Sequence, residues 1–193
     1  MSYKDLKTYQ NSTIIYDFTV DFCNRFVVPP HYTTYQTDKS YSPQPYPSNR
    51  SYRTADQMVQ AARSGKQNIV EGSTERASKK SEIKLVSVSR ASFQELLEDY
   101  EDFLRQHSLP LWEKDFPQAV AVRQLVYLPD KSYQTYRSYL SSPENAANAI
   151  ICLINQNNFL LDRQIKSLEE AFIKEGGYTE QLFKKRLAHR AIK

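Results

Sequence analysis

Glycine is scarce in this sequence of 193 residues, which holds only four. Average usage of about 7% would give roughly 13. Neither a G-x-G-x-x-G pattern nor a Walker-type phosphate loop occurs in the sequence. Hairpin-rich all-β folds are disfavoured as well, because their tight turns need residues at positive φ.

Long apolar runs are also missing. No stretch approaches the roughly 18 consecutive apolar residues of a membrane span, and the first ten residues lack the apolar segment of a signal peptide. The only cysteines, Cys23 and Cys152, lie in separate apolar stretches. They are predicted to be buried thiols in a reducing compartment, with a disulfide or a metal pair as the alternative. We therefore expect a cytoplasmic protein with no membrane partner.

Sequence signatures of enzymes and metal sites are absent too. The sequence has no G-x-S-x-G, no H-E-x-x-H and no Cys/His ligand spacing. None of the three histidines follows a glutamate at the spacing used by di-metal sites in helical bundles. Arg25 and His31 have the spacing of an Arg…His pair in some helical ribonucleases, but Pro29 and Pro30 between them prevent a shared helix face. We expect no catalytic residue, no metal and no cofactor.

Apolar residues recur instead in alternating steps of three and four along four long segments. These segments cover residues 5–28, 54–72, 78–106 and 143–175. The pattern predicts an all-α fold, an up-and-down four-helix bundle with an inserted helical segment and a short C-terminal helix. The predicted bundle domain covers 1–177 with a Tyr/Pro-rich loop at 31–49 and an insert at 107–142, and a basic amphipathic tail follows at 178–193.

Local signals predict the ends and contacts of these helices. Ser142 and Pro143 are a cap and a first helical residue, and Gly176-Gly177 ends the same helix. Gly72 is predicted to cap the second helix, whereas Gly65 inside it predicts a close approach of a neighbouring helix.

Polar residues interrupt two of the apolar stripes. Arg90 lies in the third helix and Asn157 in the fourth. A buried polar cluster that fixes the register of the helices is one interpretation, and positions at the edge of the core are the other.

The first helix carries a second apolar stripe beside the first. Its members are Ile15, Phe18, Phe22 and Phe26. Two stripes exceed what one bundle core needs, so we predict that these residues form a homo-oligomer interface. A deeply buried helix is the alternative.

Charge is unevenly distributed. The last sixteen residues hold five basic residues and one acidic residue. The net charge of this segment is therefore +4, the same as the net charge of the whole chain. Residues 50–90 are also basic, while 91–105 carry an acidic band. The band consists of Glu95, Glu98, Asp99, Glu101 and Asp102. It is interpreted as a solvated, ion-paired face, with a metal site as the less favoured alternative.

Such asymmetry indicates a polyanionic partner, RNA or DNA, although ordinary solvated faces also explain it. The predicted nucleic-acid-binding residues are Arg63, Lys66, Lys79, Lys80, Lys184, Lys185, Arg186 and Arg190.

Residues 57–104 resemble a known family. The matching elements are Gln67 to Gly72, the helix start at Ser78 and Glu82, and Arg90 to Leu96. They are similar to the four-helix bundle proteins encoded in intervening sequences of bacterial large-subunit ribosomal RNA genes. That group includes the accessory variability determinant of diversity-generating retroelements. The similarity extends over roughly 1–106 and 143–175.

The resemblance implies a small bundle that assembles into a ring of five. It also implies a non-enzymatic adaptor that binds nucleic acid or a nucleoprotein partner such as a reverse transcriptase. The alternative is a protein–protein interaction scaffold that binds no nucleic acid.

Overall fold

The computed structural model of the chain describes residues 2–28, 50–74 and 78–191. The predicted loop at 31–49, which includes His31, and the last two residues of the basic tail lie outside them.

Within these residues all regular secondary structure is helical, which confirms the all-α prediction. The α-helices are α1 (Lys7–Phe22), α2 (Arg50–Thr74), α3 (Lys79–Gln106), α4 (Pro117–Gln124), α5 (Tyr133–Tyr136), α6 (Pro143–Glu175) and α7 (Tyr178–Ala191).

The four long helices α1, α2, α3 and α6 pack around one core, and each packs mainly against two of the others. Neighbours run antiparallel, since the C-terminal end of α1 meets the start of α2 where Cys23 Sγ lies 3.8 Å from the Ala55 carbonyl. In the same way, Thr8 near the start of α1 donates a hydrogen bond to Gln164 in the second half of α6. The insert packs on the bundle, with α4 against α6 and α5 against α1.

Several helix ends lie where local chemistry predicts them. Ser78 and Ser142 accept hydrogen bonds from the backbone nitrogens three residues on, and Gly176 ends α6 at a φ of 74°. The bounds of α2 differ from the prediction, because the helix begins at Arg50 and continues to Thr74. Gly72 is therefore not its cap. It lies inside the helix, where a side chain would meet the Glu82 carbonyl and Leu85 of α3.

The predicted oligomer interface on α1 is wrong for three of its four residues. Ile15, Phe18 and Phe22 are fully buried inside the single chain, and Phe26 packs partly buried against the same core. Phe22 alone contacts three aromatic rings, including those of Tyr100 and Phe103 from α3. The second stripe is core because α1 is packed by helices on several sides. Oligomerisation itself stays a prediction, but Ile15, Phe18 and Phe22 do not form its interface.

The two polar interruptions have different explanations. Arg90 lies at the edge of the core, where its Nε donates to Asp162 Oδ1 at 3.1 Å. Asn157 is fully buried, and neither its amide oxygen nor its nitrogen has a hydrogen-bond partner. Asn11 on α1 and Asn158 on α6 are buried and unpartnered in the same way. The α1–α6 side of the core therefore holds a set of asparagines, and Arg90 is not part of it.

Both cysteines are free thiols, as predicted. Cys23 is buried, and Cys152 is partly buried. Burial, followed by repulsion from Asp99 and Asp56, raises the pKa of Cys23 from 9.0 to about 12. Burial also raises the pKa of Tyr136 from 10.0 to about 12.

We expect the fold to lose stability in alkaline solution. A raised pKa in the folded state means that the unfolded chain releases the proton first, so stability falls as pH rises above about 9. Each proton contributes a slope of about 1.4 kcal/mol per pH unit. Urea unfolding measured between about pH 8 and about pH 11 tests this expectation. Cys23→Ala removes one of the protons and should flatten the decline, whereas an unchanged slope in that variant contradicts the assignment to Cys23.

Candidate nucleic-acid interface

Helix α7 contains four of the eight residues that the sequence predicts to bind nucleic acid. It begins directly after Gly176-Gly177, and ten of its fourteen residues are leucine, lysine, arginine, alanine, glutamate or glutamine, which favour helix formation. His189 and Arg190 lie in its last turn, where positive charge interacts favourably with the helix dipole. Local propensity and end charges are therefore sufficient to explain the helix.

All four predicted cations of α7 are exposed. These are Lys184, Lys185, Arg186 and Arg190. The ion pairs in the described part of the chain join Lys79 to Glu175, Arg90 to Asp162 and Arg105 to Asp102, so none of them engages α7. These four charges are thus available to an anionic partner.

The cations of α7 are distributed around the helix. At about 100° per residue, Arg186 and Arg190 lie on the same side of the helix as the apolar residues. Those residues are Leu182, Phe183 and Leu187, and all three are exposed. Lys185 lines a shallow pocket on α7 together with Leu182, Arg186 and Arg190. Arg186, Arg190 and Lys185 therefore share a surface with apolar side chains, and Lys184 lies on another side of the helix.

The four cations on the bundle differ in availability. Arg63 and Lys80 are exposed. The Lys66 ammonium lies 4.1 Å from the centroid of the Tyr16 ring, a cation–π contact that holds it against α1. Lys79 forms its ion pair with Glu175 at the end of α6. Arg63 and Lys80 can therefore move toward a ligand without losing a cation–π contact or an ion pair.

The structure divides the predicted residues into two groups. Lys79 and Lys80 open α3 at the end of the bundle where α6 ends, so they lie near the start of α7. Arg63 and Lys66 lie near the middle of the bundle, because Gly65 between them faces Phe93. Thirteen helical residues separate Lys80 from Phe93, which corresponds to about 20 Å. A single contact region therefore combines α7 with Lys79 and Lys80, without Arg63 and Lys66.

The acidic band lies toward the other end of α3. Burial raises the pKa of Asp99, and repulsion from Asp102 and Glu95 adds to the effect. The band was predicted to be an ion-paired face, but Asp102 is the one member that forms an ion pair, with Arg105. The long axis of the bundle consequently has a basic end, marked by α7, and an acidic region away from it.

Sequence reasoning missed an open groove of about 990 Å³ between the insert and the outer face of α6. We call it the insert groove. Its mostly apolar lining includes Leu111, Trp112, Tyr127, Ile151, Phe159 and Leu160. Three of these side chains are strongly exposed, namely Leu111, Tyr127 and Phe159.

One buried residue positions the wall of the groove. Asn148 on α6 accepts a hydrogen bond from the Trp112 backbone nitrogen at 2.7 Å and donates one to the Pro110 carbonyl at 2.9 Å. The Trp112 indole donates to Glu144 at 3.2 Å. The signal in the sequence was a polar residue within the apolar run of residues 146–154, comparable to Asn157.

Among the described residues, no group of three or more histidine, cysteine, aspartate or glutamate side chains is arranged to hold a metal ion. No helix in the described ranges has the length and apolar character needed to cross a bilayer.

No family model, curated protein or solved structure matches the chain. The resemblance of residues 57–104 to the intervening-sequence proteins therefore stays a prediction.

Proposed function

We propose that this protein is a non-enzymatic helical adaptor that binds nucleic acid, or a nucleoprotein such as a reverse transcriptase complex, through α7. The observation that carries the proposal is the group of exposed cations Lys184, Lys185, Arg186 and Arg190, which enter no ion pair among the described residues. Lysine and arginine bind phosphate oxygens without regard to base identity. Binding is therefore expected to depend on backbone charge rather than on sequence.

The position of α7 supports this function. The helix extends from one end of the bundle and is about 21 Å long, enough to follow several phosphates of a strand. Exposed Lys80 adds a further cation near its start. The acidic region of α3 lies away from this end, so it does not oppose an approaching polyanion.

The test is the salt dependence of binding to single-stranded RNA. Each phosphate contact contributes about −0.7 to the slope of log affinity against log salt. Changing all four α7 cations to glutamine should therefore reduce the slope by nearly 3 in magnitude and lower the affinity strongly. Mobility shift or fluorescence anisotropy across a salt series measures both quantities.

A matched control removes the same net charge elsewhere. Lys4, Lys84, Arg137 and Lys166 are exposed and lie outside α7. Changing these four to glutamine should leave the slope nearly unchanged if binding occurs through α7. An equal loss in both variants would indicate non-specific attraction by net charge and contradict the assignment to α7.

The competing function is a protein-interaction scaffold, which the exposed apolar lining of the insert groove favours. A scaffold binds neither RNA nor DNA at ~100 mM salt, where non-specific phosphate contacts are still measurable. Absence of any complex with single-stranded or structured RNA under those conditions would replace our proposal by this one.

A further inference from the structure

Helix α7 has exposed apolar side chains that phosphate binding leaves unexplained. Phe183 is 60% exposed, and Leu182 and Leu187 are exposed beside it. No cation–π contact among the described residues involves the Phe183 ring. Clustered apolar side chains in water are typical of interaction sites. The ring is therefore available to a ligand.

Arginines lie among these apolar side chains on one side of the helix. At about 100° per residue, Arg186 lies about 40° and Arg190 about 80° around the helix axis from Leu182. Phe183 lies about 100° and Leu187 about 140° from the same residue. Both arginines therefore occupy the middle of the apolar side rather than its edges. Residues spaced by three, such as Phe183 and Arg186, have Cβ atoms about 5–6 Å apart.

This arrangement does not suit a lipid bilayer or an apolar groove of another protein. A helix that lies on a membrane keeps its cations on a polar face and buries the opposite, apolar face in the lipid. Docking the apolar side of α7 in that way would put Arg186 and Arg190 at the centre of the apolar contact, where burial of charge is costly. The suitable ligand instead offers flat apolar surfaces and anionic groups side by side.

A single-stranded nucleic acid has this alternation. Its unpaired bases present flat faces that stack on aromatic side chains, and the phosphates between them bind arginine. Bases in a duplex are stacked on one another and expose only their edges in the grooves. The major groove of an RNA duplex is also too deep and narrow for side chains to read. An aromatic ring beside two arginines therefore favours a single strand over a duplex.

We propose that α7 binds single-stranded nucleic acid, with an unpaired base stacked on Phe183 and the adjoining phosphates bound by Arg186 and Arg190. Leu187, one turn further along the helix, extends the apolar surface beneath the base. The inference rests on the proposed nucleic-acid binding through α7 and specifies which form of nucleic acid is bound. It implies two separable contributions to affinity, one from the cations that depends on salt and one from stacking that does not.

Phe183→Leu in the full chain tests the stacking contact directly. Leucine keeps an apolar side chain, favours a helix more than phenylalanine does and removes the flat ring. Loss of one base–aromatic stack should raise the Kd for an unstructured single-stranded RNA by about 5- to 150-fold. The slope of log affinity against log salt should stay the same, because no phosphate contact is removed. Fluorescence anisotropy across a salt series measures both quantities.

Two further variants and a second probe are the controls. Phe183→Tyr restores a flat ring and should bind the single strand as the wild type does. Phe159→Leu removes a phenylalanine of α6 that is 61% exposed, nearly the same as Phe183, and should leave the Kd unchanged. An RNA duplex of the same length should bind Phe183→Leu and the wild type with equal affinity. Circular dichroism should show the same helix content in every variant, because no core residue is altered.

The contrary outcomes separate this inference from the proposed function. If Phe183→Leu binds the single strand as tightly as the wild type does, with the expected salt slope in both, the stacking inference is wrong and phosphate binding through α7 stands. A loss of equal size for single strand and duplex would make the ring a general apolar contact and overturn the inference as well. If the wild type binds no RNA but binds phosphatidylserine-containing vesicles through Phe183, α7 is a membrane-surface helix, and the inference and the proposed function both fall.

Discussion

Replacing Gly65 by leucine is expected to prevent the bundle from folding. A Cβ atom at this position would lie 2.6 Å from Phe93 Cζ and 2.7 Å from Phe93 Cε2, well inside van der Waals contact. Phe93 is fully buried and cannot move aside freely. The backbone is fixed as well, because Ser89 Oγ donates to the Gly65 carbonyl at 2.7 Å.

Alanine at Gly65 should also destabilise the protein, although it improves helix propensity by about 1 kcal/mol. A Cβ at 2.6 Å from a buried ring corresponds to the upper part of the overpacking range of about 1–3 kcal/mol, so the net loss is about 1–2 kcal/mol. At about 2–4 °C per kcal/mol for a chain of this size, the net loss lowers the Tm by several degrees.

Gly72→Ala on the same helix is the control for Gly65. Its Cβ would lie 3.4 Å from the nearest atoms, so the propensity gain should leave the Tm unchanged or higher. Thermal unfolding by circular dichroism compares all three variants with the wild type. A wild-type Tm for Gly65→Leu would show that α2 and α3 are not closely packed at this position.

Asn148→Ala is expected to release the segment that forms one wall of the insert groove. Asn148 is 1% exposed and joins α6 to the Trp112 nitrogen and the Pro110 carbonyl. Removing its amide leaves both backbone groups without this partner. Lost hydrogen bonds of about 1 kcal/mol each, with the penalty for an unsatisfied group, give an expected loss of about 2–4 kcal/mol.

Urea unfolding measures that loss, and Trp112 fluorescence reports the release of the segment locally. Asn155→Ala is the matched control, because Asn155 is an exposed asparagine of α6 whose amide bonds only to the Ile151 carbonyl of its own helix. It should change stability little. Equal effects of the two substitutions would contradict a special role for Asn148.

Much of the fold is readable from local chemistry in the sequence. The heptad-like stripes locate the four long helices, and the chain around Ser78, Ser142 and Gly176 sets three of their ends. Gly65 could be assigned to a close contact between helices because glycine destabilises the interior of a helix. The close approach of a neighbouring helix explains why glycine is present there. These inferences succeed because capping and periodicity involve residues that are near each other in sequence.

The candidate sites were harder to predict, because exposure depends on residues that are distant in sequence. Ile15, Phe18 and Phe22 form a stripe that an interface and a deep core would both produce, and only the packing of α2, α3 and α6 around α1 distinguishes the two. Lys66 and Lys79 are cations in the sequence, but Tyr16 and Glu175 engage them in the fold.

The sequence by itself determined that this protein is helical, where α3 and α6 begin and where α6 ends, and that its C-terminal segment is basic. Each of these properties follows from composition or from contacts within a few residues. Only the tertiary structure decided that the second stripe of α1 is core, that Arg90 is at an edge while Asn157 is buried, and that an apolar groove lies beside Trp112. Burial is a property of how helices distant in sequence cover one another, and no single segment contains that information.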